Sequence, residues 1–181
     1  AFTDAASTSG FILPSKLLKD KGVELKESVF AQKHDNVVTM VYQKQVDAGA
    51  TYYSSPVTEE LEGGKKVTKI TDARARVKTQ FPDVEKVVNV IGYTEEIPNE
   101  PWVLRSDLYA DAAENEKVKT LIVEALESYA QTEAGKAAIK ELATATGLER
   151  VTDETYSGIR NIILADKGLN LEEVIKKEKA K

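Results

Sequence analysis

Three consecutive hydroxyl residues, Ser7, Thr8 and Ser9, precede Gly10 and form the most chemically informative stretch of the sequence. A short apolar segment comes before them and a leucine-rich helical pattern follows, so they fall between a predicted strand and a predicted helix. The first N–H groups of a helix lack intrahelical partners and lie at the positive end of its dipole, which favours anions. Hydroxyl donors and a glycine fit a phosphate-type oxyanion. A simple helix cap is the competing interpretation.

His34 and Asp35 form the second candidate group, again between a predicted strand and a predicted helix. Ligands of an open parallel sheet bind outside the carboxyl ends of its strands, so we expect His34 to face the same crevice as the three hydroxyl residues. A third predicted strand ends at Tyr52 and Tyr53, which adds aromatic and hydroxyl groups to that edge. A purely structural histidine, with Asp35 as a helix-start charge, is the alternative interpretation.

The elements that position these residues alternate between strand and helix, the order that builds a parallel sheet with right-handed crossovers. A polar stretch at residues 54–71 with two consecutive glycines indicates an exposed excursion that contains a small hairpin. The predicted strands are residues 1–4, 28–31, 48–53, 87–93 and 102–105. Four helices are predicted to begin directly after residues 10, 33, 132 and 152. Three more are predicted over residues 72–80, 115–131 and 171–176.

Composition restricts the function further. The chain has 181 residues, 41% of them hydrophobic and 30% charged, which indicates one globular domain or two small lobes. The net charge is -5 and the charges alternate in sign, so nucleic acid is not an expected partner. The absence of cysteine and the presence of one histidine exclude thiol catalysis, disulfides and cysteine-rich or histidine-rich metal centres. We therefore expect no cofactor and no metal.

Five motifs occur in an order that, taken together, resembles one known family. They resemble the phosphate/phosphite/phosphonate-binding proteins of ABC importers, over residues 1 to about 156. The motifs are FTDAASTSG at residues 2–10, HD at 34–35, VDAGATYY at 46–53, DAR at 72–74 and IPNEPW at 97–102.

The resemblance implies a type II periplasmic-binding-protein fold. This is an α/β lobe with a mainly parallel sheet flanked by helices, followed by a helical C-terminal region. Residues 1–94 would form the second ligand-binding lobe, residues 95–101 the hinge or connector, and residues 102–181 a returning strand and helices that pack on a first lobe absent from this chain. We expect that lobe or a second chain to cover the apolar faces of the C-terminal helices.

The same resemblance assigns roles to individual residues. The three hydroxyl residues and the histidine would hold the phosphonyl oxygens. Glu100 lies in the connector, where similar proteins place an acidic residue that meets an amino group or a protonated ligand oxygen; family members often have the shorter aspartate there. The candidate ligand-binding residues are Ser7, Thr8, Ser9, His34, Tyr53 and Glu100.

The leading hypothesis is a solute-binding component of an ABC importer, and not an enzyme, that captures a small phosphorus oxyanion and delivers it to permease subunits. Its expected location is the periplasm, free or as a membrane-anchored lipoprotein whose signal segment precedes this sequence. An anion-sensing lobe of a signalling system is an alternative that these residues do not separate from import. A hydrolase with Ser7 or Ser9 as nucleophile and His34 as base is disfavoured, because no G-x-S-x-G motif is present and Asp35 follows His34 directly.

Overall fold

The computed structural model describes residues 1–143 and 145–165. The chain divides into two compact units. The first is Ala1–Glu96 together with the segment that starts at Gly158, and the second is Ile97–Ser157. The division into a second lobe, a connector and a returning segment stays a prediction.

The first unit is built around a parallel bridge between Phe2 and Phe30. The N–H of Phe2 donates to the carbonyl of Val29 at 2.9 Å, and the N–H of Ala31 donates to the carbonyl of Phe2 at 2.8 Å. The predicted mainly parallel sheet is not confirmed, because parallel pairing within the described residues is limited to this bridge. The N–H of Gln32 still donates to the carbonyl of Thr3 at 2.7 Å, and the contact ends there because Gln32 has a φ of 68°, which takes the chain out of the extended conformation.

A third predicted strand touches the same bridge without becoming a regular strand. The N–H of Ala50 donates to the carbonyl of Ala1 at 2.9 Å. The three segments that the sequence predicted as neighbouring strands therefore meet near Ala1 and Phe2, over a few residues each.

The two helices that follow the bridged segments carry the candidate site. A π-helical turn at Thr8–Ile12 runs into helix α1, Leu13–Asp20, and helix α2 covers His34–Tyr42. The ring of Phe11 packs against both bridge residues, with centroid distances of 5.2 Å to Phe2 and 5.2 Å to Phe30. This aromatic trio ties the start of α1 to the bridge.

The core of the first unit lies under α2 and two short helices, α3 at Arg74–Val77 and α4 at Val84–Val87. The helix predicted at residues 72–80 is thus shorter than expected, and α4 occupies the start of a predicted strand. Partly buried aromatic rings close the core; Tyr42 and Phe81 stack with centroids 4.2 Å apart. The buried core cluster is Val38, Ala73, Val77 and Val84.

The predicted hairpin is confirmed. Strands β1, Val57–Glu60, and β2, Lys66–Lys69, pair antiparallel, with Val57 opposite Lys69 and Glu60 opposite Lys66. Gly63 and Gly64 have φ values of 84° and 76°, a conformation that glycine adopts without a steric penalty, and they close the turn.

The second unit is helical. Helix α5 covers Ala112–Gln131, and it begins before the predicted residue 115 because Asp111 Oδ1 accepts the N–H of Glu114 at 2.8 Å and caps it. Helix α6 covers Glu133–Ala143, and a short 3₁₀ turn covers Asp153–Tyr156. Helix α7, Ser157–Ala165, follows this turn, and its residues from Gly158 onward belong to the first unit. The helix predicted at residues 171–176 lies outside the described residues.

Two predicted strands are wrong. Residues 88–93 and 102–105 form no strand, and residues 89–110 make no backbone–backbone hydrogen bond within the part of the chain that the structure describes. Ile91 is 88% exposed and Val103 is 86% exposed. An apolar run favours a strand only if a neighbouring strand accepts its backbone groups, and the described residues supply none for these two runs.

Candidate functional site

The hydroxyl-rich turn starts with a cap. Ser7 Oγ accepts the N–H of Gly10 at 3.1 Å, so the capping role expected of a serine at this position is confirmed. The main-chain oxygen of Ser7 accepts two further N–H groups, those of Phe11 and Ile12, each at 3.0 Å. This double acceptance widens the first turn into a π-helix, a local form found often at functional sites.

The next two residues of the turn, Thr8 and Ser9, have hydrogen-bond donors that are not used within the described residues. Among the described residues, neither the backbone N–H nor the hydroxyl of Thr8 or Ser9 donates a hydrogen bond. Asp4, the nearest acidic residue in sequence, accepts the N–H of Ala6 with Oδ1 at 2.9 Å. The turn therefore combines a helix cap with two amides and two hydroxyls at the positive end of a helix.

A buried hydroxyl lies directly behind this turn. Thr3 is 1% exposed, and its Oγ1 has no hydrogen-bond partner among the described residues. A Cβ atom added to Gly10 would lie 1.9 Å from Thr3 Oγ1 and 2.8 Å from Ser7 Oγ. Only glycine fits at this position, because the turn packs its backbone against the threonine side chain.

His34 begins α2 and is held by Tyr52. Its Nδ1 accepts the N–H of Tyr52 at 3.3 Å, and the two rings pack edge to face with centroids 4.9 Å apart. A ring nitrogen that accepts a hydrogen bond carries no proton, so the neutral imidazole carries its proton on Nε2. The histidine is thus fixed as an Nε2 donor.

The turn at Ser7 and helix α2 both begin on the same side of the bridge between Phe2 and Phe30. The segments containing Phe2 and Phe30 run parallel, and each is followed within a few residues by its helix. Because parallel segments have their carboxyl ends on one side, both helix N-termini start from that side. Two positive helix ends on one side favour an anion there.

Tyr53 follows Tyr52 in sequence but packs against a different residue. Its ring packs against Tyr93 at a centroid distance of 4.7 Å, and 41% of Tyr53 is exposed. A hydrogen bond between the two hydroxyls, together with loss of solvent, raises the pKa of Tyr53. Successive side chains of an extended segment point to opposite faces, which is why Tyr52 and not Tyr53 reaches His34.

Residues 72–74 contain a largely buried ion pair. Asp72 is 3% exposed and accepts two hydrogen bonds from the Arg74 side chain, at 3.0 Å to Oδ1 and 2.8 Å to Oδ2. The same guanidinium donates to the carbonyl of Val88 at 3.0 Å. The hydrogen bond with Asp72 raises the pKa of Arg74, so this arginine is committed to the fold.

Glu100 belongs to the second unit and is exposed. The connector beside it is held by Tyr156, whose hydroxyl donates to the carbonyl of Asn99 at 3.0 Å. The part of the chain that the structure describes contains no cluster of three or more acidic or histidine side chains that could hold a metal ion. Every helix within that part is too short or too polar to cross a bilayer.

Comparison with known families shows the family of the chain. The family model for ABC transporter, phosphonate, periplasmic substrate-binding protein matches residues 1–156. The chain belongs to this family. Members of the phosphonate-binding family are generally binding proteins and not enzymes, and they act outside the cytoplasm with ABC permease subunits and a small ligand. No curated protein and no solved structure shows a significant match.

In this member of the family, the predicted site residues fall into three groups. The hydroxyl residues and His34 lie at two helix starts of the first unit, Tyr53 packs against Tyr93 in the same unit, and Glu100 lies in the second unit. Their roles in ligand binding stay predictions.

Sequence reasoning did not assign the contacts that three residues make around the candidate site. Tyr52 could have been separated from Tyr53 by the two-residue alternation of an extended segment. Thr3 lies in the extended segment of residues 1–4, where successive side chains point to opposite faces. Its side chain therefore points away from the face of Phe2 and Asp4. Arg76, whose Nε donates to the Tyr52 hydroxyl at 3.0 Å, left no signal in the sequence because the contact spans 24 residues.

Proposed function

We propose that this protein is the solute-binding component of an ABC importer that captures a phosphonate-, phosphite- or phosphate-type oxyanion in the cleft between two lobes. The turn from Ser7 to Gly10 is the main support for the proposal. Besides the capping hydrogen bond, it offers four hydrogen-bond donors at a helix start, the backbone N–H groups and the hydroxyls of Thr8 and Ser9. The family match supports the ligand class.

The proposed contacts follow from the chemistry of a phosphonyl group. Its oxygens accept hydrogen bonds from the amides and hydroxyls of Thr8 and Ser9 and from Nε2 of His34. Donors to an ionised oxygen make shorter and stronger hydrogen bonds than donors to a neutral one. A ligand that leaves one of these donors buried and unpaired loses about 1–3 kcal/mol, which gives the site its selectivity.

Tyr53 and Glu100 complete the proposed ligand contacts. The Tyr53 ring packs against Tyr93, and the pair offers an aromatic surface to the ligand. Glu100 offers a carboxylate to an amino group or a protonated oxygen of the ligand. Both roles rest on the family resemblance.

The lobe organisation completes the proposal. We assign residues 1–94 to an α/β second lobe with a mainly parallel sheet, residues 95–101 to the hinge, and residues 102–181 to the part that packs on the first lobe. Leu121, Tyr129 and Leu142 of the second unit are exposed, which is consistent with a further covering surface. The proposed location is the periplasm, or the outer face of a membrane as a lipoprotein.

The geometry around His34 does not favour hydrolysis. In a Ser-His-Asp triad the histidine Nδ1 donates to a carboxylate, which orients the ring for proton transfer. Here Nδ1 accepts the N–H of Tyr52. An anion-sensing lobe would bind through the same contacts and would differ in the protein that it addresses.

Calorimetric titration tests the proposal. The chain, stripped of phosphate, is titrated with phosphate, phosphite, methylphosphonate and aminoethylphosphonate, with sulfate as the control anion. We expect saturable binding of one of the phosphorus oxyanions. Ser9→Ala and His34→Ala should each weaken it by roughly 1–3 kcal/mol, the range for a lost buried or charge-assisted hydrogen bond.

Thr132→Ala provides the matched control. Thr132 Oγ1 accepts the N–H of Gly135 at 2.9 Å, so this variant also loses a hydroxyl at a helix start, but in the second unit. It should bind the anion as the wild type does. Unchanged affinity in both Ser9→Ala and His34→Ala would contradict the site.

A further inference from the structure

Arg76 contacts both the hydroxyl and the ring of Tyr52. Its Nε donates to the Tyr52 hydroxyl at 3.0 Å, and its guanidinium carbon lies 5.6 Å from the ring centroid. Arg76 is exposed, whereas Tyr52 is half-buried and packs against the core. One of the five guanidinium N–H donors is therefore used, and the group stays in contact with solvent.

The charge of Arg76 is not neutralised by an ion pair within the described residues. Other arginines of the chain do have acidic partners. The pairs are Arg74 with Asp72, Arg105 with Asp107 and Arg150 with Glu127. Arg76 donates to a phenol in a chain that carries 30 acidic residues, so its cation is available to an anionic group from outside.

Tyr52 places this cation close to the proposed anion site. The His34 ring lies 4.9 Å from the same ring centroid, and the Tyr52 N–H fixes His34 as an Nε2 donor. One aromatic side chain thus contacts both the histidine that we assign to the phosphonyl group and the guanidinium.

We propose that Arg76 is a specificity-determining residue that binds a carboxylate on the tail of a phosphonate ligand. The inference rests on the proposed function and names the substrate class: carboxylated phosphonates. A planar guanidinium matches the two oxygens of a carboxylate in a forked, two-bond arrangement, which a lysine does not reproduce. The hydrogen bond from Nε to Tyr52 reduces the motion of the side chain, so less conformational entropy is lost on binding.

The test compares ligands that differ by one carboxylate. Phosphonoacetate adds a carboxylate to methylphosphonate, and phosphonoalanine adds one to aminoethylphosphonate. The full chain is titrated calorimetrically with both pairs as wild type, Arg76→Gln and Arg76→Lys. The measured quantity is the ratio of dissociation constants within each pair. We expect the wild type to favour the carboxylated member, Arg76→Gln to reduce that preference about tenfold, and Arg76→Lys to fall between them.

Lys21→Gln is the matched control for net charge. Lys21 is exposed and caps the C-terminal end of α1, the end opposite the hydroxyl-rich turn. It should leave both ratios at the wild-type value, and thermal unfolding should show Arg76→Gln to be folded, because the side chain is exposed.

The outcomes separate the two proposals. Binding of methylphosphonate or aminoethylphosphonate with ratios that do not change in Arg76→Gln overturns the role of Arg76 and leaves the proposed function standing. If Lys21→Gln reduces the ratio of dissociation constants as much as Arg76→Gln does, the role of Arg76 is also overturned, because the effect then comes from net charge. Binding of phosphate or phosphite without binding of any phosphonate overturns the role of Arg76 and leaves the proposed function standing. Absence of binding for every phosphorus oxyanion in the wild type overturns both proposals.

Discussion

Each of the two units contains a glycine held three residues after a hydroxyl cap at the start of a helix. Ser7 Oγ accepts the N–H of Gly10 at 3.1 Å in the first unit, and Thr132 Oγ1 accepts the N–H of Gly135 at 2.9 Å in the second. In both turns a Cβ on the glycine would collide with its surroundings. The local chemistry of the two turns is therefore the same.

Their surroundings differ. Thr132 Oγ1 also donates to the carbonyl of Tyr129 at 2.7 Å, so its hydroxyl is fully engaged in joining α5 to α6. The first turn continues with Thr8 and Ser9, which keep their donors, and it lies against the buried Thr3 hydroxyl. Capping and anion binding are thus not alternatives for such a turn: the cap is common to both, and neighbouring residues determine whether donors remain for a ligand.

The two units also each carry an aspartate and an arginine two residues apart. The side chains of Asp72 and Arg74 are 4% and 15% exposed, whereas those of Asp107 and Arg105 are 80% and 71% exposed. The residue types and the spacing are the same in both pairs. Burial alone makes the first pair part of the core and the second a surface contact.

Asp72→Asn gives the largest expected effect and tests the contrast between the ion pairs. Removal of the carboxylate leaves the Arg74 charge largely buried and unpaired, which costs about 3–5 kcal/mol of unfolding free energy. Urea denaturation measures the loss. Asp107→Asn is the matched control, and it should stay within about 1 kcal/mol of the wild type because that pair is exposed. Equal losses in the two variants would contradict the contrast.

Gly10→Ala and Gly135→Ala test the two turns, each with an expected loss of about 1–3 kcal/mol or somewhat more from overpacking. The Cβ at Gly10 meets the Thr3 side chain at 1.9 Å, and the Cβ at Gly135 meets the Tyr129 carbonyl oxygen at 1.8 Å. Only Gly10→Ala should also weaken phosphonate binding in calorimetry, because only that turn has donors for the ligand.

A second substitution sharpens this comparison. Thr3→Ala removes the hydroxyl and the methyl group that Gly10→Ala would strike, so the double variant should recover part of the lost stability. No side-chain truncation can relieve Gly135→Ala, because its clash is with backbone. If Thr3→Ala made Gly10→Ala less stable still, the threonine would not be the source of the strain.

The smallest expected effect concerns the exposed pair of Glu127 and Arg150. Arg150 Nη2 donates to Glu127 Oε2 at 2.7 Å, and this contact lowers the pKa of Glu127 below its ordinary 4.5. A lowered folded-state pKa stabilises the fold above the ordinary value, and that stability is lost as the pH falls through the folded-state pKa.

Thermal unfolding from about pH 6 to about pH 3 measures this contribution. The wild type should lose slightly more stability on acidification than Glu127→Gln, which has no carboxylate to protonate. Parallel pH profiles would show that solvent screens the pair completely.

Local signals were sufficient for the elements that depend on near neighbours. The start of the first helix at the hydroxyl cap, the hairpin closed by Gly63 and Gly64, and the Thr132 cap were all predicted and confirmed. Each depends on hydrogen bonds between residues a few positions apart, so residue type and spacing contain the required information. The ordered motifs likewise predicted the family, which the match over residues 1–156 confirms.

Contacts between distant residues were decided by the tertiary structure. The apolar runs at residues 87–93 and 102–105 were predicted as strands. A strand exists only where another segment pairs with it, and alternation of residue types does not reveal that partner. The choice of Tyr52 over Tyr53 for His34, the Arg76 contact and the burial of Asp72 depend in the same way on distant packing. The sequence by itself determined the caps, the turns and the family, because these are local or carried by ordered motifs. The tertiary structure decided which side chains meet, because that depends on which segments the chain brings together.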